Sequence, residues 1–167
     1  ATASTSIDEN SDSTITLTAT VSTATFQDVT VSIDGTGGTG TEGTDFGTVS
    51  DITISAGSTT GTVAFDPTDD STYEGNETAG ISVSGVSGGG ASESGSQAVT
   101  ITITDNESAP TVTLTTSASS IAENAGSSLT LTATLSVATT ADVTVALSTS
   151  GTASEGTDYT DGSGVVN

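Results

Sequence analysis

The side chains of this sequence that could carry chemistry are carboxylates, and they concentrate between short apolar runs. The chain contains 21 Asp and Glu residues and no Lys, Arg, His or Cys. Carboxylate, hydroxyl, amide and backbone oxygens are therefore the groups available for catalysis or ion binding. Such oxygens are the ligands of hard cations. The acidic clusters beside and between these runs include Glu9, Glu42, Asp45, Asp69, Asp70, Glu74, Glu77, Asp105 and Glu107.

The same composition argues against several classes of function. Without Lys and Arg the chain has no positive surface for a nucleic-acid backbone or an anionic membrane, and no apolar run approaches the roughly 18 residues of a membrane helix. Without His, Cys and Lys it has no Ser–His or Cys–His pair, thiolate zinc site, disulfide or Schiff base. Paired carboxylates leave a glycosidase open, but Trp is absent and only two Tyr are present to stack on a sugar. We therefore expect no enzyme, no nucleic-acid partner and no membrane insertion.

The elements that must position the acids are β-strands. Apolar residues alternate with Thr or Ser, a period of two that predicts half-buried strands, and Gly, Asp, Asn and Ser clusters between the runs predict turns. No segment has the period of a helix. About seven short strands at this spacing predict an all-β, seven-stranded antiparallel β-sandwich. The runs lie at 15–21, 29–33, 52–54, 63–65, 81–83 and 99–103.

The sequence contains an internal repeat. Residues 6–33 realign with residues 120–147, with 17 of 28 positions identical at an offset of 114, and EGTDF at 42–46 matches EGTDY at 155–159. A repeat of this length predicts tandem domains of one fold. We expect a first domain at 1–107, lacking the start of its first strand, and the N-terminal half of a second at 108–167.

The two predicted domains are both incomplete, and half a sandwich exposes an apolar face and an open strand edge. Two explanations stay open. The favoured one is that the sequence is cut from a longer array. The alternative is that another chain completes each half by strand addition. Uncharged Thr ladders such as TITLTAT at 14–20 are suited to binding a neighbouring strand.

The predicted sandwich brings the acids together. Loops alternate between the two ends of a sandwich, so the kinked first strand, two later loops and the exit of the last strand meet at one end. Two carboxylates about 5 Å apart repel by roughly 3 kcal/mol at an effective dielectric near 20. Ca²⁺ takes about six to eight oxygens and removes that repulsion, whereas the rigid octahedral shell of Mg²⁺ fits less well. The sequence therefore favours a calcium site over the alternative of solvated, solubilising carboxylates.

Three motifs resemble those of the Calx-beta domain. DDSTYEGNET at 69–78 is followed by an alternating strand, a Gly-rich loop and a strand ending in ITDNE at 103–107. The openings IDEN and IAEN and the EGTDF and EGTDY steps complete the resemblance, which covers nearly all of 1–107 and the N-terminal half of the next unit. It implies an immunoglobulin-like sandwich that binds Ca²⁺ at one end, as in sodium–calcium exchangers. Bacterial members occur in tandem in long surface proteins and adhesins.

The resemblance also implies a ligand set. The exchanger-type domains have acids at the positions of Ser71 and Asn106 in this chain. The two missing acids imply fewer or weaker Ca²⁺ sites, about one or two. In the second repeat Glu123 and Asp158 match the motif, but the acids of the 69–78 loop have no counterpart there. The implied metal ligands are Glu9, Asp45, Asp69, Asp70, Glu74, Glu77, Asp105, Glu123 and Asp158.

The function expected from these observations is a calcium-stabilised structural or adhesive repeat of a long extracellular fibre or cell-surface protein. Ca²⁺ would bridge the loops at one end of each sandwich and make a rigid rod. Its partners would be neighbouring repeats of the same chain and other copies in a filament. The alternatives are a filament subunit assembled by strand exchange and a regulatory calcium sensor.

Overall fold

Each alternating run of the first domain forms a β-strand in the computed structural model, which describes residues 6–160. Residues 1–5 and 161–167, the outer ends of the two predicted domains, lie outside the described residues. The chain divides into two compact units, Ala1–Glu107 and Ser108–Asn167. No helix among the described residues is long and apolar enough to cross a membrane.

The strands of the first unit include two short elements that the alternation did not predict, the first and the sixth. The structure confirms the all-β prediction, and the described part of the first unit has eight strands, which include these two short elements. The strands in chain order are β1 (Ser6–Asp8), β2 (Ile15–Thr20), β3 (Val29–Gly38), β4 (Ile52–Ile54), β5 (Thr60–Phe65), β6 (Thr72–Tyr73), β7 (Glu77–Ser87) and β8 (Ala98–Thr104).

Two sheets of the first unit face each other. One has the order β1-β8-β7-β3-β4, and the other pairs β2 with β5. Most pairings are antiparallel, but β1 runs parallel to β8, with Ile7 opposite Ile103. This differs from the antiparallel expectation because the first strand is split. The chain pairs with β8, turns after Asp8 through a hydrogen bond from Ser11 N (3.1 Å), and enters the other sheet as β2.

The core lies between the sheets and consists mainly of the inward residues of the alternating strands, together with Phe46 and Val49 from the loop between β3 and β4. Phe46 and Phe65 are fully buried, with ring centroids 5.0 Å apart. Phe46 belongs to the EGTDF segment, so the core anchors one of the acidic loops. The buried apolar residues are Ile7, Ile15, Val29, Val31, Phe46, Val49, Ile52, Ile54, Phe65, Ala79, Ile81, Ile101 and Ile103.

The second unit contains a hairpin of β9 (Val112–Thr116) and β10 (Leu131–Leu135), followed by the short β11 (Ala138–Thr139). The hairpin is antiparallel and places Leu114 opposite Ala133. None of the residues described in this unit is buried. Leu114 and Leu131 are 54% and 55% exposed, whereas Leu17, the counterpart of Leu131 in the first unit, packs against the core.

Candidate metal centre

The EGTDF loop holds Asp45 in a fixed position. Asp45 Oδ2 accepts a hydrogen bond from Thr41 N (2.5 Å), and Asp45 N donates to Thr41 O (2.9 Å). Gly43 has φ +87°, a left-handed conformation that suits glycine, and its N–H donates to Phe46 O (2.7 Å). Thr68 N donates to Asp45 O (2.9 Å), which ties this loop to the segment between β5 and β6. The carboxylate of Asp45 therefore lies in a rigid turn, which the buried side chain of Phe46 anchors to the core.

Asp105, just after β8, organises the turn between β6 and β7. Its Oδ2 accepts hydrogen bonds from Glu74 N (2.7 Å) and Gly75 N (2.5 Å), and its Oδ1 accepts one from Glu107 N (2.7 Å). Gly75 has φ +77°, a conformation that a larger residue would adopt only with strain. One carboxylate thus fixes the backbone around two further acids.

The described residues contain two groups of three acids whose ligand atoms all lie within 4.8 Å of one another. Site 1 consists of Asp45, Glu74 and Glu77, and joins the EGTDF loop to the start of β7. Site 2 consists of Glu9, Asp105 and Glu107, and joins the crossing between β1 and β2 to the exit of β8.

The carboxylates of site 2 are unfavourably placed without a cation. Burial raises the pKa of Glu9 to about 8, and its hydrogen bond with Glu107 and the charges of Asp105 and Glu107 add to the shift. Asn106 supplies partial compensation. With the amide oriented to suit its neighbours, its nitrogen donates to Glu9 Oε1 (2.5 Å) and Glu107 Oε2 (2.8 Å).

The carboxylates of site 1 repel one another in the same way. Burial raises the pKa of Glu77 to about 7, followed by the charge of Asp45 and the hydrogen bond to it. Burial also raises the pKa of Glu74, with further contributions from the charges of Asp45, Asp70 and Asp105. Burial alone would raise the pKa of Asp105, but the N–H groups of Glu74, Gly75 and Glu107 outweigh it and lower that pKa. Asp105 is therefore ionised, and its charge helps to raise the pKa values of the neighbouring glutamates, which are Glu9 in site 2 and Glu74 and Glu77 in site 1.

The donor set fits a hard divalent cation. Each site offers three carboxylates, and the chain has no imidazole or thiolate and no cationic side chain to neutralise them. Ca²⁺ accepts about six to eight oxygens in variable geometry, which three carboxylates and nearby carbonyls or waters can supply. Zn²⁺ sites rely on N and S ligands, which this chain lacks.

Comparison with protein families agrees with the fold. Residues 2–107 and 105–167 match the model of the Calx-beta domain. The chain belongs to the Calx-beta family. The predicted resemblance is therefore confirmed, and the chain carries two Calx-beta segments in tandem.

Two solved structures similar to this chain are CBD12 from CALX1.2 and the calcium binding domain CBD12 of CALX1.1. Each has a TM-score of 0.50 and 21% sequence identity, and the alignment covers 60% of this chain and 40% of that chain. The chain thus spans less than half the length of these structures, and the likeness supports the Calx-beta fold. A search of curated proteins found no match. The prediction of Ca²⁺ as the ion is confirmed at the level of the family, together with the acidic groups described above.

The two sites of the Calx-beta domain bring together five of the predicted ligands, namely Glu9, Asp45, Glu74, Glu77 and Asp105. They add Glu107, which the sequence placed among the loop acids but which the motif did not assign as a ligand. The sequence feature that could have identified Glu107 is its position two residues after Asp105, at the end of β8.

Four predicted ligands lie outside both groups. Asp69 and Asp70 are exposed in the segment between β5 and β6, where Asp70 Oδ1 accepts from Thr72 N (2.6 Å). Glu123 and Asp158 are exposed in the second unit, and Asp158 Oδ2 accepts from Ser154 N (2.7 Å), which repeats the bond between Asp45 and Thr41. The ligand roles of all nine residues remain predictions.

Another loop acid has a structural partner. Glu42 Oε1 accepts a hydrogen bond from Val49 N (2.8 Å), and Val49 is buried in the core. Glu42 therefore braces the segment that follows the EGTDF loop, and it belongs to neither group of acids.

The raised pKa values predict that the metal-free domain loses stability as pH rises. The folded protein holds protons on Glu77 and Glu9 up to about pH 7 and about pH 8, whereas the unfolded chain releases them near pH 4.5, the ordinary pKa of Glu. Their stabilising contribution is therefore complete below about pH 4.5 and lost as pH rises through about 7 to 8. Thermal melts in chelator should show a fall of more than about 5 °C between pH 5 and pH 8. Glu77→Gln should make the profile shallower below about pH 7 and keep the loss between about pH 7 and pH 8, which Glu9 causes. A stability that rises between pH 5 and pH 8 would contradict the site electrostatics.

Proposed function

We propose that this chain is a calcium-binding structural module, in which tandem Calx-beta domains form part of an extracellular fibre or cell-surface protein. The observation that carries the proposal is the pair of three-carboxylate groups in a chain without any cationic side chain. When these carboxylates are ionised without a cation, their mutual repulsion opposes folding. A divalent cation bound between them attracts all three carboxylates of a site and so stabilises the folded domain.

The mechanism is mechanical. At site 1, Asp45, Glu74 and Glu77 would hold the ion and fasten the EGTDF loop to the turn that enters β7. At site 2, Glu9, Asp105 and Glu107 would fasten the end of β1 to the exit of β8. Ion binding at these sites cross-links loops and strand ends of a sandwich whose middle is already held by its core. The end of the sandwich that carries the two sites then becomes as rigid as the rest of the domain.

Further oxygens lie close to both sites. Asp69 and Asp70 are exposed on the segment next to site 1, and the charge of Asp70 already acts on Glu74. Asn106 contacts two acids of site 2 through its amide, and the amide oxygen is also a calcium ligand. We propose these side chains as the groups that complete the shells.

Several features favour a structural role outside the cell over a regulatory sensor. The two repeats are closely similar in sequence over residues 6–33 and 120–147, as expected for an array of equivalent units. Extracellular calcium modules work at about 10⁻⁴–10⁻³ M, whereas sensors work at about 10⁻⁷–10⁻⁵ M. The absence of Lys and Arg also leaves no tryptic site, which suits exposure to proteases.

Calcium titration distinguishes these roles. Calorimetry on the full chain at about pH 8 should show two ions bound by the first unit with dissociation constants of about 10⁻⁴–10⁻³ M. Glu77→Gln should remove the ion of site 1. The matched control is Glu93→Gln, because Glu93 is exposed in the loop between β7 and β8 and belongs to neither site; this variant should bind both ions. Submicromolar affinity would favour the sensor, and an equal loss in both variants would reject site 1.

A further inference from the structure

We propose that β1 and β8 form a load-bearing pair, the element of the first unit that resists tension along the chain, and that site 2 reinforces it. Tension would be resisted because the two strands must slide past each other before the unit unfolds. Glu9, Asp105 and Glu107 would join the strand ends through a bound Ca²⁺, an arrangement called here the calcium bridge. The calcium bridge rests on the function proposed above, whereas the load-bearing pair does not.

The directions of the two strands determine how tension acts on them. The chain enters β1 at Ser6 and leaves β8 after Thr104. The strands are parallel, with Ser6 opposite Thr102 and Asp8 opposite Thr104, so tension pulls them in opposite directions along their common axis. All hydrogen bonds between them are then stretched at the same time. Strands that are pulled at the same end would instead separate one bond after another.

The strand that slides first is β1, because it has less support than β8. In the order β1-β8-β7-β3-β4, β8 has a neighbour on each side, and β1 is the edge strand of the described sheet. Six residue pairs join β8 to β7 among the described residues, whereas three join β1 to β8. This short contact includes the buried Ile7 opposite Ile103, and a bond from Glu9 N to Thr104 O (3.0 Å) extends it. The resistance of the unit therefore depends on a few residues.

Site 2 lies at the end of this short contact. Glu9 directly follows β1, and Asp105 directly follows β8. Their ligand atoms and that of Glu107 lie within 4.8 Å of one another. If β1 slides by two residues, Glu9 moves about 7 Å toward the start of β8, which separates it from both other acids. The three carboxylates must therefore release a shared ion before β1 can slide, whereas without an ion their repulsion weakens the same contact.

Site 1 does not have this position. Asp45, Glu74 and Glu77 join the loop between β3 and β4 to the turn that enters β7, and none of these segments belongs to β1. The acids of site 1 can therefore stay together while β1 slides. Interactions that persist in the transition state leave the unfolding rate unchanged, whereas interactions that break before it slow unfolding. Calcium should therefore prolong the folded lifetime under load through site 2 and not through site 1.

The load-bearing pair is tested on single molecules of the full chain in chelator, held at constant load. The lifetime of the folded first unit is measured, which the unfolding rate governs. Because the chain has no Cys, Ala109→Cys places one tether just after the exit of β8. The other tether is joined to Ala1 or, for comparison, to Asp12→Cys, an exposed position between β1 and β2.

The comparison of the two arrangements decides on the load-bearing pair. A tether at Asp12 pulls β1 and β8 at the same end, so their bonds break one after another. The lifetime at the same load should then be shorter than with the tether at Ala1 by more than about tenfold. A lifetime that is equal or longer would overturn the load-bearing pair.

The calcium bridge is tested at about pH 8 with the tethers at Ala1 and at residue 109. Calcium at about 10 to 100 times the dissociation constant of site 2 should lengthen the lifetime about 10- to 100-fold, because that binding energy is lost when β1 slides. Glu9→Gln should lose this gain. Glu77→Gln, which removes the ion of site 1, should keep it, as should the matched control Glu93→Gln.

The outcomes distinguish the calcium bridge from the calcium function. If calorimetry shows bound ions and Ca²⁺ raises the melting temperature, but the lifetime under load is the same in Ca²⁺ and in chelator, the calcium bridge is wrong and the calcium function stands. If no ion binds, both fail, and the comparison of tethers in chelator still decides on the load-bearing pair. If Glu9→Gln and Glu77→Gln lose the gain equally, Ca²⁺ acts through overall stability, which also overturns the calcium bridge.

Discussion

We expect Ca²⁺ at about 10 mM to raise the melting temperature of this chain by more than about 10 °C over its value in chelator. A ligand at about 10 to 100 times its dissociation constant stabilises the folded state by roughly 1.4 to 2.7 kcal/mol per site. Two sites in the range of extracellular modules therefore contribute about 3 to 5 kcal/mol. In a domain of this size a stabilisation of 1 kcal/mol raises the melting temperature by about 4–8 °C. The expected rise is therefore more than about 10 °C.

The measurement is a thermal melt followed by circular dichroism at about pH 8, in Ca²⁺, in Mg²⁺ and in chelator. Mg²⁺ should give a far smaller shift, because it requires a small octahedral shell and keeps several of its waters. A double variant, Glu9→Gln with Glu77→Gln, removes one carboxylate from each site and should lose most of the calcium shift. Identical melts in Ca²⁺ and chelator would reject the calcium function and leave the carboxylates as solubilising charge.

Sequence periodicity predicted the fold well because the strands are local patterns. Thr alternates with branched apolar residues in β2, β3 and β8, and in each the inward residue is the apolar one. The parallel pairing of Ser6–Asp8 with β8 was not predictable in the same way. Three residues have too little periodicity to identify a strand, and their partner lies almost a hundred residues later in the chain.

The candidate site was partly predictable for a similar reason. Asp45 stands in a turn that the chain builds twice, since Asp45 and Asp158 both accept a backbone N–H four residues earlier. The role of Asp105 as acceptor of three backbone N–H groups has no sequence signature, because it depends on how the turn at Glu74 and Gly75 meets the exit of β8. The proximity of Glu107 to Glu9 likewise depends on the tertiary structure.

Asp105→Asn should have the largest effect of any single substitution, because it acts on both sites. In the wild type both oxygens of Asp105 accept backbone N–H bonds. An amide keeps one oxygen and turns an NH₂ group toward at least one of these donors. Bonds to charged groups contribute about 1.5–3 kcal/mol each, so we expect a loss of roughly 2–4 kcal/mol in the free energy of unfolding.

The pH of the experiment decides whether this loss can be seen. Removing the Asp105 charge also relieves repulsion on Glu9, Glu74 and Glu77, which offsets the lost bonds when those groups are ionised. At about pH 6 the raised pKa values of Glu9 and Glu77 keep both largely protonated. The lost hydrogen bonds then dominate, and denaturant unfolding in chelator should show the full destabilisation.

At about pH 8 the same variant should lose nearly all of the calcium-induced shift, because it removes a ligand of site 2 and releases the turn that carries Glu74 of site 1. Asp51→Asn is the matched control. Asp51 accepts bonds from Ile33 N (3.1 Å) and Ser32 Oγ (3.0 Å) and belongs to neither acidic group. It should cost about 1 kcal/mol and keep the whole calcium shift. If Asp105→Asn retains that shift, Asp105 does not organise the two sites, and each must be held by its own loop alone.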